Sequence, residues 1–191
     1  MVTYHEKLSK QLYNIAAAYF MLHIDFTLFV VNVFPDWLGY VFILNALKII
    51  GEEEPSIMLL RPLCIVLIVW EGMKWIAATL GASMSIALLD IIVLVVQLYL
   101  HFQLLTNLAS VALRHGSVPS HDNLLIYRTV RTVLATAVYL LTPWMEANHW
   151  INIVMLSIYV IAGLLICRDL YCLSEEIRSE GRKIEYTEEI V

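Results

Sequence analysis

The sequence predicts an all-α fold, a polytopic transmembrane bundle of six helices with both termini cytoplasmic. Three observations predict it. Hydrophobic residues fill 60% of the 191 positions and charged residues only 15%, where a soluble domain carries roughly 25% charged. The apolar residues gather into six runs, and one helical crossing consumes about 20 residues. Lysine and arginine are unevenly distributed. Threading six helices leaves every basic residue except Lys74 on or near one side, and such residues mark the cytoplasmic side.

The runs place helices at about 10–31, 36–50, 57–80, 84–108, 124–141 and 150–166, in one transmembrane domain spanning 1–191, with a charged tail at 167–191. Pro35 divides the first run into a hairpin, with a tight turn at Asn32–Asp36. The second helix is short for a bilayer. Glu52, Glu53 and Glu54 read as a solvated loop, and Pro62 sits in the first turns of helix 3, where a missing N–H is tolerated. Gly81-Ala82-Ser83 makes a tight connection. Arg114–Asn123 (RHGSVPSHDN) reads as the longest polar loop, with Asp122 or Asn123 capping helix 5. The tail begins as a cytoplasmic helical extension and is expected to fray. The polar opening MVTYHEKLSK gives no sign of a cleavable signal peptide. Trp37, Trp75, Trp144 and Trp150 map near the outer interface, as an aromatic belt requires.

Polar residues interrupt the apolar runs at helical spacing. Ser83, Asp90, Gln97 and His101 fall on one face of helix 4. Asn14, Asp25 and Asn32 fall on one face of helix 1, with Ala18 between them. Glu71 and Lys74 on helix 3 stand three apart, within pairing reach. Lipid is unfavourable for all of them, so the three stripes are expected to face one another inside the bundle. At about 1.5 Å per residue, Asp25, Glu71, Lys74 and Asp90 lie in the outer half of the bilayer. A lone intramembrane charge costs about 2.5–3.5 kcal/mol on insertion scales. One lysine cannot balance three carboxylates, so protonation, water or a bound cation must complete the site.

The candidate ligand- or ion-binding residues are therefore Asp25, Glu71, Lys74 and Asp90, supported by His23, Asn32, Gln97 and His101. His23 lies about 200° around the helix from Asp25 and is expected in an interhelical hydrogen bond. Arg128 and Arg131 are expected to snorkel from the cytoplasmic start of helix 5 to lipid phosphates. Cys64, Cys167 and Cys172 form no metal or redox motif and read as apolar side chains, with acylation of Cys167 or Cys172 the alternative. No metal site and no particular cofactor is expected. The chain carries no His-Glu-x-x-His, Walker loop or Gly-x-Ser-x-Gly, and no nucleophile beside a base.

Leu22-His23-Ile24-Asp25-Phe26, followed by Phe34-Pro35-Asp36-Trp37-Leu38-Gly39-Tyr40, resembles a pattern in an uncharacterised family of small polytopic membrane proteins of Gram-positive bacteria. The resemblance covers about the first quarter of the chain. It implies a shared membrane fold in a bacterial plasma membrane and no activity. Gly39 is read as letting the hairpin arms approach closely. In length and helix number the chain is also similar to the substrate-binding S components of energy-coupling-factor transporters. Their first helix presents alanines four apart, whereas here Ala16, Ala17 and Ala18 are consecutive and position 20 is Phe.

The leading expectation is non-enzymatic, a membrane subunit handling a small solute or cation through an outward-facing polar pocket. The alternatives are an interaction or regulatory membrane protein, meeting a membrane-protein partner or a second copy, and a membrane-embedded enzyme acting on lipid. The lipid bilayer is the one partner implied throughout. A net charge of −5 gives no reason to expect nucleic acid.

Overall fold

Leu8, Leu12, Ile15, Ala16 and Tyr19 recur every three or four residues and are all buried, the stripe of a helix held on one face by its neighbours. They belong to α1 (Tyr4–His23), which opens the chain in the computed structural model. The structure describes residues 4–24, 27–28, 31–32, 35–82 and 84–188; of 27–28, 31–32, 143–147 and 184–188 it describes the backbone alone.

After His23 the described chain is no longer helical. Strands β1 (Thr27–Leu28) and β2 (Val31–Asn32) pair antiparallel, Thr27 opposite Asn32 and Leu28 opposite Val31. The expected helix to Val31 is thus shorter at its end and longer at its start. β-Branched Thr27 and Val31 suit extended backbone better than helix. Asn32, in β2, consequently does not share a helical face with Asn14 of α1. Asp25 and Ser83 lie outside the described residues, as does the side chain of Asn32.

Five further helices follow. α2 (Asp36–Ile50) starts directly after Pro35, as expected. A 3-10 turn (Pro55–Leu60) leads into α3 (Arg61–Thr79). Then come α4 (Ala87–Arg114), α5 (Val118–Ala147) and α6 (His149–Glu188). The six run alternately up and down, each packing on the next, and α6 closes the bundle against α1. The fold is therefore an all-α bundle of six helices. Four stretches are long and apolar enough to cross a membrane: Pro55–Thr79, Ala87–Arg114, Val118–Thr142 and His149–Lys183.

Two elements differ from expectation for physical reasons. α5 begins at Val118, not Leu124. Gly116 adopts φ +73°, a left-handed conformation that turns the chain sharply, and Pro119 sits in the first helical turn, where its missing N–H leaves no gap. The tail joins α6 in one helix of 40 residues, about 60 Å long and twice the thickness of a hydrocarbon core. Leu170, Leu173 and Ile177 are fully buried along it, so packing, not propensity, holds the extension.

α1 and α6 pair antiparallel. Ser9 and Ser174 share a buried hydrogen bond of 2.9 Å, the Cys167 thiol donates to the Ala16 carbonyl at 3.3 Å, and His23 stacks on Tyr159 with ring centroids 4.7 Å apart. The Cys167 thiol thus turns into the helix pair, whereas Cys172 is exposed. On α2, a Cβ at Gly39 would come within 2.9 Å of Leu22 Cγ and 3.3 Å of the Ala18 carbonyl. The glycine reading of the hairpin therefore holds. Away from this core, Ile65, Val69, Ile92, Val95, Val133, Leu140, Val154 and Leu156 are all exposed. This apolar belt around α3–α6 far exceeds the patches a soluble surface tolerates.

Candidate functional site

Glu71 and Lys74 project from the same face of α3, one turn apart. Their side chains pair at 3.4 Å. The Gln97 amide of α4 donates to the other Glu71 oxygen at 3.1 Å. Glu71 is only 8% exposed, so these two partners take over the role of water. Asp90 stands one turn inside the start of α4, where it accepts a hydrogen bond from the Ser85 hydroxyl at 2.9 Å. Asp36, Glu71, Lys74, Asp90, Gln97 and Tyr139 line a common cavity of about 530 Å³. Of the stripe predicted on helix 4, Asp90 and Gln97 face Glu71 and Lys74 across this cavity, whereas His101 turns toward Tyr19 and Tyr40. The three carboxylates here include Asp36 at the start of α2.

His23 and His101 belong to a deeper group. The His23 Nδ1–H donates to the Tyr19 carbonyl at 2.8 Å, within its own helix, so the bond is not interhelical as expected. Its ring lies instead between Tyr19 and Tyr159. A Cβ at Gly163 would overlap that ring, which is why a helix can pass so close. His101 is 1% exposed. Its Nδ1 meets the Tyr19 hydroxyl at 3.1 Å, and its ring lies 5.9 Å from that of Tyr40. In both imidazoles Nε2 is buried without a hydrogen-bond partner.

Beside this group stands Arg131, whose expected position is corrected. It does not snorkel to the surface. Because α5 starts six positions earlier than expected, Arg131 lies about 20 Å along the helix from Val118. Exposed Val130 and Val133 flank it within the apolar belt, yet Arg131 itself is 6% exposed. Its guanidinium carbon lies 5.9 Å from the Tyr19 ring. Among the described residues no carboxylate lies within ion-pair distance of it, and its Nε has no hydrogen-bond partner. Arg128, one turn earlier, is settled differently. It lies 4.3 Å over the Phe102 ring and donates to the Thr106 hydroxyl at 3.1 Å.

Arg131 faces a second cavity of about 390 Å³ between α4, α5 and α6. Apolar Leu94, Leu98, Val138 and Leu156 form most of its wall, and Gln97, Tyr139, Asn152 and Tyr159 supply hydrogen-bonding groups. Leu94, Gln97 and Tyr139 also line the acidic cavity, so the two spaces adjoin. An apolar chamber with a few convergent polar groups is the usual form of a small-molecule site. The sequence signal for Arg131 was an arginine thirteen positions into a helix, legible only once the start of that helix is known. No protein-family model, curated protein or solved structure matches the chain.

Proposed function

We propose that this is a multi-pass protein of a bacterial plasma membrane that binds a small organic anion or zwitterion inside the bundle. The observation that carries the reading is the buried Arg131 guanidinium, unpaired among the described residues, beside a 390 Å³ cavity within the apolar belt. A charge kept inside a membrane bundle marks a substrate or ion pathway by default. An arginine is always protonated there, so neutrality requires an anion. A carboxylate or phosphate group matches the planar guanidinium in both charge and hydrogen-bond geometry.

The adjoining acidic space extends the reading. Asp36, Glu71 and Asp90 outnumber Lys74, so the two chambers together offer opposite charges to the two ends of one solute. A zwitterion would set its anionic group on Arg131 and its cationic group toward Glu71 or Asp90. Orientation rests on charge distribution. Arg114 and Arg178 lie at the end of the bundle where α1 begins, and Lys74 lies at the other. Basic residues on the cytoplasmic side then put both termini inside and the acidic chamber outward. The arrangement supports a binding or transport subunit better than an enzyme, since among the described residues no nucleophile is paired with a base in either chamber.

The test is thermal unfolding in detergent across a panel of small carboxylates, phosphate esters and amino acids. A ligand at 100 times its dissociation constant stabilises by about 2.7 kcal/mol. At least one compound should raise the melting temperature of the native protein by several degrees and leave Arg131→Gln unmoved. Glu71→Gln should weaken only compounds carrying an amine. A panel that shifts nothing, or a shift that survives in Arg131→Gln, would overturn the reading.

A further inference from the structure

We propose that His5, His115 and Glu180 bind a divalent transition-metal ion of the zinc class at the end of the bundle where α1, α4 and α6 meet, with Glu53 holding the other nitrogen of the His115 ring. The four residues come from four separate segments: the first turn of α1, the α2–α3 connection, the residue capping α4, and the far part of α6. His115 Nδ1 lies 3.0 Å from a Glu180 oxygen and its Nε2 lies 3.1 Å from a Glu53 oxygen. One donor atom each of His5, His115 and Glu180 lies within 4.8 Å of the other two. Zinc–nitrogen bonds of 2.0–2.1 Å in a tetrahedron set neighbouring donors about 3.3 Å apart. Rotation about side-chain bonds closes the remainder.

Three further observations point to a cation. The His5 Nδ1 is buried and has no hydrogen-bond partner among the described residues. The His5 and His115 rings stand 5.7 Å apart, edge to face. A Cβ at Gly181, next to Glu180, would come within 2.6 Å of His5 Cβ, so only glycine lets α6 bring its carboxylate this close.

The donor set selects the metal. Two imidazoles with one carboxylate suit zinc, cobalt or nickel, whereas magnesium and calcium take oxygen ligands. Counting Glu53, two carboxylates and two neutral imidazoles carry two negative charges, which a divalent ion cancels. An imidazolium at His115 held between Glu53 and Glu180 would explain two of the distances. It would leave the His5 nitrogen buried beside it and unused. A metal on His115 Nδ1 takes His5 and Glu180 as its other ligands, leaves the Nε2–H to Glu53, and so ties the first helix, the loop and the tail together.

The test uses the full-length protein carrying a histidine-free tag, purified in detergent and stripped with a chelator. Zinc should then bind at one ion per chain and raise the melting temperature, and magnesium should not. Cobalt should give the intense visible absorption of a four-coordinate site. His5→Ala and His115→Ala should each weaken zinc about tenfold or more, and His121→Ala, whose ring bonds the Ala109 carbonyl outside the cluster, should bind as the native chain does. Should His115→Ala fail to fold, the cobalt spectrum of the native chain decides alone. A weak six-coordinate spectrum, or zinc retained at full affinity in His5→Ala, would overturn the proposal.

Discussion

At the scale of single residues, close approach in this bundle is bought with glycine. A Cβ at Gly163 would overlap the His23 ring, and that ring is itself stacked between Tyr19 and Tyr159. It cannot retreat without breaking the 2.8 Å bond from its Nδ1–H to the Tyr19 carbonyl. Gly163→Ala should therefore destabilise the protein by about 1–3 kcal/mol, the range for overpacking a core, despite alanine's better helix propensity. Combining it with His23→Ala should recover part of the loss, because the smaller side chain clears the space. Unfolding of the two single variants and the double variant gives the coupling directly. Strict additivity would mean that the helices shift apart at no cost and that the contact is not tight.

At the scale of elements, legibility followed from how locally each element is specified. Helices 3 and 4 were readable because each carries its polar residues at helical spacing on an apolar body. Glu71, Lys74, Asp90 and Gln97 met as their spacing required. The end of helix 1 and the start of helix 5 were not readable. Composition there stays ambiguous; α1 stops at His23, and the left-handed Gly116 sets the start of α5. That second boundary carried Arg131 with it. A start six residues earlier moves the arginine from the membrane surface into the bundle. Glu53 and Glu54, read as a solvated loop, are in fact docked. Glu54 pairs with Arg114 at 2.6 Å and accepts from the Ser56 hydroxyl at 2.7 Å, and Glu53 meets His115. Such contacts join residues some 60 positions apart, which no local pattern announces. The long tail of α6 has a similar origin, since its helix depends on packing against α1. Leu173→Ala, at a fully buried position, should cost about 2–5 kcal/mol. Cys172→Ala, exposed beside it, should change little. Equal effects in denaturant titrations would show that the extension is held by propensity and not by α1.

At the scale of the whole molecule, the two ends of the chain are brought to one end of the bundle. His5 near the start and Glu180 near the finish both approach His115, and Ser9 meets Ser174. An even number of passes is therefore required whatever surrounds the bundle. Only four stretches satisfy length and apolarity on their own. α2, with 15 residues, rises only about 22 Å, and α1 carries Glu6, Lys7 and Lys10 in its first turns. These two elements form a hairpin packed against α3 and α6, with Trp37 near Trp75 at the far end, ring centroids 6.3 Å apart. The buried interface with α6, not hydropathy, then holds α1 in place. Single cysteines placed at Glu6 and Arg182, in a background lacking Cys64, Cys167 and Cys172, should both resist a membrane-impermeant thiol reagent in intact cells and react after permeabilisation. A cysteine replacing Ala82, in the connection between α3 and α4, should react in intact cells. Labelling of Glu6 and Arg182 positions from opposite sides would break the antiparallel α1–α6 pairing. Labelling of both from outside would keep the pairing and invert the bundle, placing the acidic chamber toward the cytoplasm.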